Sequence, residues 1–248
     1  MSGEEEIKLT WKKICIYFFV FCLLWSIREL VIRPVFLDSL NDILFQVMET
    51  IIKISIWTLP AIFLIKHYKN DMWISLKEMF INKPEFFKRE VLEKKPKWFE
   101  LKIEKDPLIV YLLFLLIIPF RAFISLKELT IHPSFQIIKM IEIVLFVGIT
   151  EEIVFRGWLL NSFIKRMKLW PAILLNSVLF LFIHFPIWIY FKHDLFTILS
   201  NSFGVFGVSV LLCILFIKSK NIIIPILFHM IWNLLLTFFF GIQGANVI

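Results

Sequence analysis

The sequence predicts an all-α protein, a polytopic transmembrane helix bundle of about seven spans. Three observations carry this. Of the 248 residues, 59% are hydrophobic and only 19% are charged, with a mean hydropathy of +0.83; a soluble domain would be about half apolar and about a quarter charged. The apolar residues fall in blocks that approach the roughly 20 needed to cross a bilayer. No tract rich in Pro, Gly or Ser divides the chain, so one structural unit is expected.

The N-terminus, MSGEEEIKLTWKK, is acidic and then basic. The block after it, ICIYFFVFCLLWSI, lacks a small-residue cleavage signature, so it is expected to stay as the first span. Spans are expected over residues 14–33, 43–65, 107–124, 137–161, 170–191, 196–217 and 221–240. Only Lys192, His193 and Asp194 separate the fifth from the sixth, which demands a tight turn. The one long polar segment is 66–106. Its Trp73, Leu76, Phe80, Phe86 and Phe87 alternate with Lys and Glu, which suits either a helix in the headgroup region or an ordinary solvated loop. Residues 1–136 thus form N-terminal spans with a basic loop at 66–106, and 137–240 form the second part.

That loop, the Lys165, Arg166 and Lys168 group, and Lys218 with Lys220 all fall on one side of a seven-span chain. Basic loops mark the cytoplasmic side, so the N-terminus is expected there as well. The same bias accounts for the net charge of +7 without nucleic acid as a partner; the partner expected is the bilayer. Cys15, Cys22 and Cys213 lie in apolar blocks without metal-site spacing and are expected to be free buried thiols.

The stretch GITEEIVFRGWLL, residues 148–160, sets three charges in an apolar run. A charge at mid-bilayer costs about 2.5–3.5 kcal/mol on insertion scales, so such residues are rare and point to function. Glu152 and Arg156 are four apart and share a helix face, Glu first, the favoured order. Glu151 points about 100° away. It is the carboxylate left over, free to act as a general base. Further along, His184 lies in LFLFIHFP, and His229 and Asn233 lie four apart in FHMIWN. Counted from the flanking cytoplasmic lysines at 1.5 Å per residue, Glu151, His184, His229 and Asn233 reach similar depth, roughly 14–24 Å in.

EEIVFR, the Phe180-to-His184 spacing and the His229-to-Asn233 spacing together resemble the CAAX-protease and bacteriocin-processing family, also called the Abi family. The resemblance covers roughly 137–240. It implies an intramembrane endopeptidase, related to the CAAX prenyl endopeptidase, acting on a peptide or lipidated protein substrate. It implies that Glu151 activates a water, that His184 helps to hold or activate it, that His229 and Asn233 stabilise the oxyanion, and that Glu152 and Arg156 are supports. It implies no metal and no other cofactor. Zinc bound by two His and one or two Glu is the chemical rival, although the helical His-Glu-x-x-His arrangement is missing. Family members often have eight spans, so an eighth is possible here.

Other residues receive plainer readings. Glu49 and Lys53, four apart in the second span, are expected to neutralise each other, with a role in substrate entry as the lesser alternative. Trp170 and Trp188 read as interface anchors. Phe203 and Gly207 read as allowing close packing against the site. His67, His132 and His193 receive no role. The competing functions are a non-proteolytic bacteriocin-immunity or membrane binding protein of the same fold, and a transporter. The heavy use of Lys, Ile and Phe suggests an AT-rich, bacterial genome.

Overall fold

A computed structural model describes residues 8–83, 111–112, 115–117, 119–120, 131 and 141–245. No strand occurs among them. Among the described residues, five helices are long and apolar enough to cross a membrane: α1 (Trp11–Ser39), α2 (Asp42–His67), α5 (Leu169–Tyr190), α6 (Leu195–Ser219) and Ile223–Phe240, the main part of α7 (Ile223–Ala245). Between them lie the short α3 (Leu76–Ile81) and α4, residues 141–164. The expected span at 107–124 is represented by a few helical residues around Tyr111, and most of it lies outside the described residues, as do His132 and 84–106.

The helix starts follow from local chemistry. Thr10, Asn41 and Asp194 each accept a backbone N–H of the first turn of α1, α2 and α6. Such caps satisfy donors that an apolar medium would leave stranded. The cap hydrogen bond from Thr197 also holds the Asp194 carboxyl below the usual carboxylate range. The tight turn before it bends at Lys192, whose φ of 55° is left-handed.

α4 is the centre of the bundle. It packs against α2, α5, α6 and α7, and every residue from Ile153 to Leu160 is buried. Over Ile153–Leu160 it is wound as a π-helix, with i→i+5 hydrogen bonds. In lipid, apolar area alone does not drive helices together, so close packing and polar contacts must. Both are present. Edge-to-face rings run from α1 to α5: Phe21 on Trp57 at 4.8 Å, Trp57 on Phe155 at 6.2 Å, Phe155 on Phe180 at 4.9 Å. Gly148 lets α7 approach, since a Cβ there would meet Met230 Cγ at 3.0 Å.

The expected span at 170–191 is present as Leu169–Tyr190, its winding interrupted between Phe182 and Phe185, where Pro186 has no N–H to continue the ladder. Three sequence readings are corrected. Trp188 is 0% exposed, a core residue packed under His184, not an interface anchor. Phe203 is 80% exposed and faces outward with Phe196, 82% exposed, as lipid-facing side chains do, so it does not pack toward the site. Cys15 is exposed and Cys22 partly so; only Cys213 is buried.

The first part of the polar segment is neither a free loop nor a free interfacial helix. The buried Asn161 amide clamps Ile74, accepting its N–H and donating to its carbonyl, both at 2.8 Å. Ile222 N–H donates to the Met79 carbonyl at 2.8 Å. Residues 66–83 are thereby docked on the ends of α4 and α7. Asn161→Ala strands both Ile74 groups and is expected to cost roughly 1–3 kcal/mol. Phe203→Ala, on the outer face, is expected to stay within about 0.5 kcal/mol. Denaturant titration of the purified protein in mixed micelles checks both.

Candidate active site

α4 brings Glu151, Glu152 and Arg156 into the interior, all buried, with Glu152 and Arg156 at 0% exposure. The expected pair forms: Arg156 Nη1 donates to Glu152 Oε1 at 2.8 Å. Arg156 makes two further bonds, while its Nε is buried without a partner. Its Nη2 donates to the Ser209 carbonyl at 3.0 Å and to Ser209 Oγ at 2.8 Å, on α6. Its guanidinium lies over the Phe180 ring, 4.8 Å from the centroid.

Glu152 has a second partner that the sequence did not reveal. His229 Nδ1 on α7 lies 2.8 Å from the same Oε1. A carboxylate oxygen only accepts, so the Nδ1–H donates. That fixes the ring's orientation and leaves Nε2 directed at Glu151, whose Oε2 is 3.8 Å away. Glu152 therefore orients His229 as well as binding Arg156. Glu151 Oε2 is buried and has no hydrogen-bond partner of its own. Glu152 Oε1 thus accepts twice, while Oε2 of each of the two adjacent glutamates is buried without a hydrogen-bond partner.

His184 sits at the break in α5. Its Nδ1 lies 2.8 Å from the Phe180 carbonyl, again an acceptor only, so Nδ1 carries the proton and Nε2 of the neutral ring is left as an acceptor. Phe180 is the common wall, its ring 5.0 Å from that of His184 and 6.0 Å from that of His229. Asn233, one turn beyond His229, donates through Nδ2 to the Ile143 carbonyl at 3.0 Å, which ties α7 to the start of α4. One of its two amide hydrogens is used there.

Glu151, Glu152, Arg156 and His229 thus meet directly, His184 joins through Phe180, and Asn233 stands on the His229 face. Among the described residues, no three His, Cys, Asp or Glu side chains converge as a metal site. The arrangement offers a carboxylate without a hydrogen-bond partner at Oε2, an imidazole held by a second carboxylate, a second imidazole with an acceptor nitrogen, and an amide donor. These are the parts of general acid–base and oxyanion chemistry.

Residues 133–235 match the family model described as Type II CAAX prenyl endopeptidase Rce1-like. Comparison with curated proteins and with solved structures returned no match.

Removing one member of a buried ion pair strands the other, at a cost of about 3–5 kcal/mol. Arg156→Ala is expected to show a loss of that size in denaturant titration. Arg156→Lys is expected to recover little of it, because one ammonium does not reproduce the planar fork that spans Glu152 and Ser209.

Proposed function

We propose that this chain is a CAAX-type intramembrane endopeptidase, a reading supported by the match of residues 133–235 to the Rce1-like family model, and that it hydrolyses a peptide bond of a membrane-associated or lipidated substrate with a water activated by Glu151. The observation that carries this is that Glu152 Oε1 is tied to Arg156 and to His229, which directs the imidazole Nε2 at the buried Glu151 Oε2, 3.8 Å away.

Glu151 takes a proton from a water, and the oxygen attacks the scissile carbonyl. The carbonyl electron pair moves onto oxygen. Asn233 N–H donates to that oxyanion, and His229, oriented by Glu152, lines the same side of the site. Collapse of the tetrahedral intermediate breaks the C–N bond, and the leaving amine takes the proton from Glu151. The acceptor Nε2 of His184 holds the attacking water. Glu152 and Arg156 position His229 and α4. No metal and no cofactor enter this scheme. The substrate approaches from the cytoplasmic side, consistent with the basic loops, and in a bacterium without protein prenylation it is a membrane-anchored or leader peptide.

The test is cleavage in proteoliposomes of a farnesylated CAAX peptide and of a pool of membrane-derived peptides. Glu151→Gln is expected to lower kcat by about 10³-fold and His229→Ala by about 10²-fold, in the range of general-base and oxyanion contributions. A chelator is expected to change nothing. Activity that survives in Glu151→Gln overturns the assignment; activity removed by chelator and restored by zinc replaces it with a metal site. A native protein that cleaves neither probe, with a cellular phenotype that survives Glu151→Gln, favours the immunity or binding reading.

A further inference from the structure

The match begins at residue 133, and α1 and α2 lie outside it. Their buried ions are linked. Glu49 and Lys53 do form an ion pair, at 3.4 Å. They are not a closed pair, however. Arg28 bonds both Glu29 and Glu49, and Glu29 also binds Arg33 at 3.2 Å.

This part of α1 grips the second half of α5. Arg28–Ile32 packs against Phe185–Tyr190. At the far end, Arg33 lies 4.6 Å from the Tyr190 ring centroid and 3.6 Å from the Asp38 carboxylate, to which the Tyr190 O–H donates. At the near end is the break in α5. There the first backbone bond of the restarted helix runs from Trp188 N–H to the His184 carbonyl, at 3.2 Å. The Ile183 carbonyl lies one residue before that ladder, in a medium that supplies no water to satisfy it. The Trp25 indole N–H donates to it at 3.1 Å, and both residues are buried.

That carbonyl belongs to the peptide bond that joins Ile183 to His184. The N–H of the same planar unit donates to the Leu181 carbonyl at 3.1 Å. Both polar groups of the plane are thus held, one locally and one from α1. Trp25 itself is fixed: its ring meets Trp57 edge-to-face at 4.8 Å and lies 5.0 Å from the Arg28 guanidinium and 5.8 Å from the Lys53 ammonium. The His184 ring hangs from this plane and reaches back across the turn to the Phe180 carbonyl, at 2.8 Å. That bond sets which ring nitrogen carries the proton.

We propose that Trp25 is a positioning residue for hydrolysis: its indole N–H fixes the Ile183–His184 peptide plane, and so keeps the His184 ring in the Nδ1–H form with Nε2 presented to the attacking water. The ion network of α1 and α2 is the frame that holds the indole. This rests on the peptidase reading for its purpose, while its main test needs no substrate.

The test removes one N–H and keeps the packing. Trp25 is replaced by benzothienylalanine, an isostere with sulfur in place of the indole N–H, in full-length protein whose histidine nitrogens are isotopically labelled. Nitrogen NMR in lipid then reads which ring nitrogens bear protons, and the His184 signals are identified by their loss in His184→Gln. The native ring is expected to show Nδ1 protonated and Nε2 bare. With the isostere at Trp25, the Nε2–H form is expected to appear, because the plane no longer holds the ring against Phe180. The same isostere at Trp57 is the control. That ring belongs to the same stack, but its indole N–H is buried without a hydrogen-bond partner, so the native His184 signals are expected to persist. An unchanged His184 ring with the isostere at Trp25, or an equal change with the isostere at Trp57, overturns the proposal and leaves Trp25 a packing residue. On a peptide that the native protein cleaves, the Trp25 isostere is expected to lower kcat about tenfold with KM within about twofold; an unchanged kcat also overturns the proposal. Should the native protein cleave no probe, the peptidase reading fails while the NMR result still decides whether Trp25 sets the His184 ring.

Discussion

The site depends on one oxygen atom. Glu152 Oε1 accepts from Arg156 and from His229, and through those two donors it joins four helices. Arg156 carries the link to Ser209 on α6 and covers Phe180 on α5, and His229 belongs to α7. In water such a junction would be worth little, because solvent competes for every donor. In the interior of a membrane bundle the alternative to pairing is an uncompensated charge, so the geometry is held firmly. The same junction leaves Glu151 Oε2 without a hydrogen bond, facing an imidazole whose orientation has already been set.

The N-terminal helices complete this arrangement from the other side. Their aromatic side chains form a continuous wall from Phe21 and Trp25 through Trp57 to Phe155 and Phe180. Each contact of this kind is worth about 0.5–1.5 kcal/mol beyond the area it covers. The wall also has a chemical end, the Trp25 hydrogen bond beside His184. Packing and site geometry are therefore one structure, and the outward Phe196 and Phe203 take no part in it.

Much of this was legible in the sequence where the signal was local. Glu152 and Arg156 announce their pairing by a four-residue spacing, and long apolar blocks announce helices that fit a membrane. Contacts between distant segments left no such mark. The Glu152–His229 bond joins residues 77 apart, and nothing near either one encodes it. Glu49 and Lys53 read as a closed pair because Arg28 lies on another helix. Pro186 interrupts the ladder of α5, which sets His184 at a helix end, not at mid-helix. Trp188 and Phe203 were misplaced for a shared reason: in an apolar span, composition does not distinguish the face turned to protein from the face turned to lipid.

The winding of α4 carries a further consequence. The i→i+5 bonding of Ile153–Leu160 holds more residues per turn than an α-helix of the same height. Glu151 and Glu152 lie at one end of that stretch and the Asn161 clamp at the other. Loss of a single residue between them, with no compensating change of winding, would rotate the two ends by about one residue's step, roughly 80–100°, relative to each other. The clamp and the Glu152 junction would then no longer be satisfied together. The number of residues in this helix is thus as much a chemical requirement as the charges it bears.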